Sequence, residues 1–274
     1  MDKESFIISA FLNNKINGDD GAIFGDWCFS KDLFFEDVHF KKKWLSLDQI
    51  AQKAMLVNIS DSIVMNAEPK FALLGLSLPS DLSFGDIKAL QNGFLKIAKE
   101  FNIQIIGGDT INSDKITISI SLISKIRKKA IYRKGLKQGM FLAYTGILGQ
   151  SLKGLKNLQA GLKLHKNHRF VKPLLRANFF YEASPNIICA MDISDGLKKD
   201  MSRMLSLNIL DIKPLKKLNK IELLSGEEYE ILFAFLPKYK KKIENLAKKH
   251  RIKINIFAKT KRGRYKFYGR EHHF

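Results

Sequence analysis

Apolar positions change their period along the chain, and the changes mark alternating strands and helices. Residues 116–123 alternate isoleucine and leucine with serine and threonine, the period-two pattern of a half-buried strand. Residues 22–24 and 27–30 flank Gly25-Asp26 and read as a hairpin. Ser46 and Gln49 have the spacing of a capping box, and Ile50, Ala54, Met55 and Ile59 then recur at helical spacing. Residues 70–78 form a strand closed by Pro79. A second helix follows Ser83, with Ile87, Leu90, Phe94, Ile97 and Phe101 on one face. A short buried strand over 103–106 ends in Gly107-Gly108-Asp109-Thr110.

The basic stretch 125–139 separates this half from a second. There a strand over 140–145 turns through Gly146 and Gly149 into a helix, and a strand over 187–191 runs into Asp192-Ile-Ser-Asp195-Gly196 and a helix to about residue 207. Residues 228–235 read as a strand, 239–250 as a helix and 252–257 as a strand. The expectation is a mixed α/β (α+β) protein of two domains, 1–130 and 131–274, a division that 274 residues allow.

Composition narrows the function classes. Hydrophobic residues make up 45% and charged residues 27%, the profile of a chain that buries a core. The start, MDKESFIISAFL, lacks a secretory pattern and no apolar run reaches bilayer length, so a cytoplasmic protein with no membrane partner is expected. Cys28 and Cys189 stand apart without metal-ligand spacing and read as buried thiols. The net charge of +20 would suit a polyanion, but the lysines are spread as short groups such as Lys41-Lys42-Lys43 and Lys240-Lys241-Lys242. No basic block carries the interleaved aromatics of a single-strand binder, so no dedicated nucleic-acid partner is expected.

The informative residues are acids beside glycines at expected strand ends and turns. Gly18-Asp19-Asp20-Gly21 precedes the hairpin, Asp32 follows its second strand, Asp109 follows a glycine pair, and Asp192 and Asp195 close a buried strand. Strand ends are where layered α/β folds bind ligands. Glycine lets backbone approach a phosphate, and carboxylates are the hard oxygen donors magnesium takes. Because carboxylates hold a triphosphate only through bridging cations, aspartates converging from several elements point to a magnesium–ATP clamp of several ions. Asn58-Ile-Ser-Asp61 is different, a polar group inside an apolar helical run. Either it is buried with partners or a metal, or it caps a helix end.

In order along the chain, GDDGAIF (18–24), SKDLFFEDVHF (30–40), AMLVNISDSIVMNAEP (54–69), IIGGDT (105–110), MDISDGL (191–197) and SGEEYEILF (225–233) resemble the thiamine-monophosphate kinase family, within the aminoimidazole-ribonucleotide synthetase-like superfamily. The resemblance implies a two-domain fold like that of aminoimidazole-ribonucleotide synthetase. Its N-terminal domain would bind ATP and metal and form a dimer barrel from its sheet, followed by a C-terminal α/β domain. It implies magnesium ligation by Asp20, Ser30, Asp32, Asp61, Asp109, Asp192 and Asp195, and ATP contacts from Gly108, Asp109, Arg133 and Ser194. His39 and Glu227 would contact the substrate, and no residue is singled out as a catalytic acid or base. The implied reaction uses ATP as co-substrate to phosphorylate thiamine monophosphate, in a cytoplasmic homodimer.

The departures are specific. Lys31 stands where the family has threonine, so it either replaces part of a metal's charge or points away. Ser225 and Glu228 replace a glycine and an aspartate, and Lys172-Pro173-Leu-Leu-Arg176 keeps only part of a proline-rich segment. The close, Tyr268-Gly-Arg-Glu-His-His-Phe274, has no clear counterpart of the family's aromatic substrate contact. The competing readings are the same ATP site with a different small acceptor, and a basic nucleic-acid-binding protein on the same fold.

Overall fold

The computed structural model describes residues 18–266 together with Lys3, Phe6, Ile7 and Ala10. The closing 268–274 segment and most of the N-terminal stretch read above lie outside the described residues.

Strands β1 (Ala22–Phe24) and β2 (Trp27–Phe35) pair as the expected hairpin, Ala22 opposite Phe29. Helix α1 (Leu47–Val64) begins in the predicted capping box: Gln49 N–H donates to Ser46 Oγ at 3.3 Å, and Ser46 N–H donates to Gln49 Oε1 at 3.0 Å. Then come β3 (Ala67–Leu78), α2 (Phe84–Phe101), β4 (Gln104–Asn112) and β5 (Thr117–Ile126). They form a sheet ordered β1-β2-β5-β3-β4. Only β3 and β4 are parallel among these pairs, and α2 supplies the crossover that a parallel pair requires.

The second half holds β6 (Phe141–Thr145), α3 (Gln150–Gln159), α4 (Ala177–Ala183), β7 (Cys189–Asp192), α5 (Leu197–Asn208), β8 (Leu210–Pro214), α6 (Lys220–Leu224), β9 (Ile231–Phe235), α7 (Lys240–Lys249) and β10 (Ile254–Arg262). Its sheet is ordered β7-β9-β6-β10-β8 with every neighbour antiparallel. The mixed α/β class is therefore the one expected. Patterning did not reveal β8, α4 and α6, which are short.

Helix α1 joins the two halves. Every residue from Ile50 to Ser60 is buried, so it lacks the polar stripe of a surface helix. One apolar cluster runs from Ile118 and Ile120 of β5 through Ile50, Met55 and Ile59 to Phe179 of α4 and Phe233 of β9. Helix α2 lies so close to α1 that a Cβ at Gly93 would fall 2.4 Å from the Asp48 carbonyl oxygen.

Two strands run further than expected. β2 continues through Asp32 to Phe35, and β4 passes through the glycine pair to Asn112. The glycines do not end β4; they admit it beside β3, at a register shift between Ala72 and Leu73. A Cβ at Gly108 would lie 1.7 Å from the Leu74 carbonyl oxygen, so only glycine fits. Cys28 and Cys189 are both buried. Among the described residues no helix is long and apolar enough to cross a membrane.

Candidate functional site

A cavity of about 350 Å³ opens where α1, the hairpin and the end of β7 meet. Asp20 reaches it from the turn before β1, Asp61 from the last turns of α1, and Asp192 from the end of β7. One carboxylate oxygen from each lies within 4.8 Å of the others. Ser60 Oγ donates to Asp192 Oδ2 at 2.9 Å, tying α1 to the second half beside this trio. Asp32, on the inward face of β2, and Asp19 line the same cavity.

Burial pushes Asp61 well above the usual carboxylate range, with Asp32 and Asp192 adding repulsion. Asp192 is raised well above it for the same first reason, with Asp20 and Asp200 contributing. Asp32 is pushed up to about 6 by burial and by Asp20. Neighbouring buried carboxylates cannot all ionise unless a cation shares them. The trio thus offers hard oxygen donors at a spacing that a magnesium ion fits.

Cations stand beside the acids. The Arg133 guanidinium grips both oxygens of Asp20, with Nε at 3.2 Å from Oδ2 and Nη2 on Oδ1, while Arg133 N–H donates to Asp19 Oδ1 at 2.5 Å. Asp195 is paired with Lys199 Nζ at 3.2 Å and Arg203 Nη1 at 2.5 Å. Ser194 lines the cavity next to it, and its carbonyl accepts from Glu227 N–H at 2.7 Å.

The rest of the lining is less acidic and more aromatic: Leu33, Phe34, His39, Val57, Glu227 and Tyr229. His39 stacks on Phe34 with ring centroids 5.3 Å apart, and its Nδ1 accepts from Phe35 N–H at 3.0 Å. Glu227 accepts from Lys53 Nζ at 2.8 Å.

Ten residues read from sequence thus gather here: Asp20, Asp32, His39, Asp61, Arg133, Asp192, Ser194, Asp195 and Glu227 line the cavity, with Asp19 from the same turn as Asp20. Three lie elsewhere. Ser30 is buried beneath the wall, its Oγ donating to Asn58 Oδ1 at 2.5 Å. Gly108 and Asp109 sit on the exposed edge strand β4 and line no part of the cavity. Lys31 points to the other face of β2, donating to Ser119 Oγ at 2.7 Å, so its charge is turned away from the acids. Asn58 is buried inside a continuing helix rather than capping its end, and donates to the Ile120 carbonyl at 2.6 Å. Sequence reading passed over Lys53, Arg203 and Tyr229. The signal for Lys53 was a lone cation in the apolar run Ile50–Ile59, and that for Tyr229 its place in SGEEYEILF (225–233); Arg203 had none.

Comparison with known proteins agrees with this geometry. Residues 18–126 match the family model for AIR synthase related protein, N-terminal domain. The thiamine-monophosphate kinase of Buchnera aphidicola subsp. Schizaphis graminum is 32% identical, over 92% of this chain and 89% of that protein. That of Leptospira interrogans is 32% identical, over 75% of this chain and 73% of that protein. In fold, the chain is similar to AaThiL complexed with AMPPCP and TMP, with a TM-score of 0.83 and 24% identity, over 95% of this chain and 90% of that one. With its motifs in order and its acids gathered around one cavity, the chain belongs to the thiamine-monophosphate kinase family.

Proposed function

We propose that the chain transfers the γ-phosphoryl group of ATP to the phosphate of thiamine monophosphate, yielding thiamine diphosphate and ADP. The observation that carries this reading is the cavity's mixed lining: Asp20, Asp61 and Asp192 converge in it, and Phe34, His39, Glu227 and Tyr229 line it as well. The converging acids suit a metal-bound polyphosphate, the aromatic and polar set an organic ring system bearing a phosphate.

Asp20, Asp61 and Asp192, with Asp32 beside them and Asp195 at the rim, are the residues that would hold magnesium. When bound, the ions supply positive charge to phosphate oxygens as two anions approach. The remaining work belongs to the protein's own groups. Arg133 is placed to exchange its Asp20 contact for paired hydrogen bonds to phosphate, and Ser194 offers a hydroxyl nearby. The acceptor oxygen of a phosphate monoester is already ionised near neutral pH, so no strong base is needed. Alignment of donor and acceptor across the cavity is the main catalytic contribution.

The same reading assigns residues 1–130 to ATP and metal binding and to dimerisation, and 131–274 to closing the site. It also makes the protein a cytoplasmic homodimer. The exposed edge of β4, with Ile106 and Ile111 turned to solvent, supports dimerisation: such an edge is a template for pairing. A second copy there would explain why Gly108 and Asp109 lie outside the cavity of their own chain. Purified protein given ATP, magnesium and thiamine monophosphate together should release ADP and form thiamine diphosphate in equal amounts, measured by chromatography. ADP release with a different phosphate acceptor, and none with thiamine monophosphate, would move the chain to another acceptor.

A further inference from the structure

Lys53 is 0% exposed, yet it sits mid-helix in α1 with its ammonium 4.0 Å from the centroid of the Phe170 ring and 5.8 Å from that of Phe34. Its carboxylate partner is Glu227, 2.8 Å away, whose side chain stays 28% exposed and lines the cavity. Taking an ammonium fully out of water is costly, and an apolar side chain of similar volume at such a place is often as stable or more so. Packing alone therefore gives no reason for a lysine here. Glu227 also holds a left-handed backbone, φ 53°, while its N–H is tied to the Ser194 carbonyl at 2.7 Å. A strained residue fastened at both backbone and side chain is a residue whose position matters.

We propose that Lys53 is a positioning residue for the phosphate acceptor, acting through Glu227; this rests on the reading of the cavity as the thiamine monophosphate site. The pair does two things at once. It cancels the charge of Glu227, so that this wall does not repel two phosphate-bearing substrates. It also leaves a carboxylate oxygen facing the cavity as a fixed hydrogen-bond acceptor, suited to the amino group of the acceptor's pyrimidine ring. Phe170, from the segment before α4, and Phe34, from β2, clamp the ammonium from the two halves of the molecule.

The test is steady-state kinetics of the full-length protein with both substrates varied, for wild type, Lys53→Met, Phe170→Leu, Glu227→Gln and Lys53→Met/Glu227→Gln. Wild-type turnover of thiamine monophosphate comes first; its absence would sink the reading of the site, whatever the variants do. Given that turnover, Lys53→Met should raise KM for thiamine monophosphate about tenfold or more, while KM for ATP changes less than about twofold. Phe170→Leu, which keeps both charges, should shift the same KM in the same direction by about threefold. The double variant should be no worse than the poorer single variant, because both act through one contact. An unchanged KM for thiamine monophosphate in Lys53→Met, equal rises for both substrates, or additive effects in the double variant would each overturn the proposal. Were Lys53→Met not to fold, an unaltered KM in Phe170→Leu would do so.

Discussion

At the scale of single residues, the three carboxylates around the cavity are an unfinished charge balance, and their behaviour should depend on what completes it. Asp61→Asn keeps shape and burial but removes a charge that would face a cation. We expect ADP release to fall by about a hundredfold or more, with an unchanged far-ultraviolet circular dichroism spectrum. Retained turnover would remove Asp61 from the metal set. Asp32, beside this trio, links stability to pH. Asp32 is raised from 3.8 to about 6, so the metal-free native state binds protons more tightly than the unfolded chain. Its contribution, on the order of 3 kcal/mol, is present below the unfolded value and is lost as pH rises through about 6. The thermal midpoint of metal-free protein should therefore fall between pH 4 and pH 7, and saturating magnesium should reverse that fall at pH 7. A midpoint insensitive to both would mean that these acids are not shared with a cation.

At the scale of elements, α1 carries more of the site than any other segment, since it supplies Lys53, Ser60 and Asp61. Its approach to α2 depends on Gly93, where a Cβ would meet a backbone carbonyl that cannot turn aside. Gly93→Ala should force the helices apart and cost about 1–3 kcal/mol, read as a lowered midpoint in urea. In the second half, Arg176 makes paired bonds to Glu230 at 2.9 and 2.7 Å, and Glu230 also accepts from Thr145 Oγ1 at 2.6 Å. Arg176→Met would leave that buried carboxylate with only the more distant Arg169, 3.9 Å away, at a cost of about 3 kcal/mol by the same measurement.

These elements also explain what sequence could convey. The hairpin, α1, α2 and β5 were readable because their periodicity is strong and their caps are local. The acids were readable as a set, but for a partly mistaken reason. Asp32 and Asp109 were placed at element ends, whereas both sit inside a strand; Asp61 was read within a helical run, where it lies. Whether Lys31 faced the acids was decided by the parity of β2, which became clear only once the strand was known to continue past Ser30. The Lys53–Glu227 pair spans 174 residues, and no local pattern encodes a partner that distant.

At the scale of the whole molecule, an anionic cavity lies within a chain of net charge +20. The surface draws polyphosphates in, while the interior accepts them only together with cations. The exposed β4 edge makes assembly testable. In the proposed dimer Ile111, 60% exposed in the single chain, would lie in the paired edge, so Ile111→Lys should shift sedimentation toward monomer and lower turnover with it. A dimer that survives this change would place the contact elsewhere.

The burial of α1 between the two sheets has a consequence for ancestry. A helix buried against both sheets cannot be lent to one half without stripping the other, so the two sheets with their helices are not interchangeable parts. Recombination at that junction would join sheets whose shared interior no longer interlocks. The chain should tolerate exchange of its surface far more readily than exchange of its halves, and two fragments should regain activity when produced together but not when produced apart and then mixed.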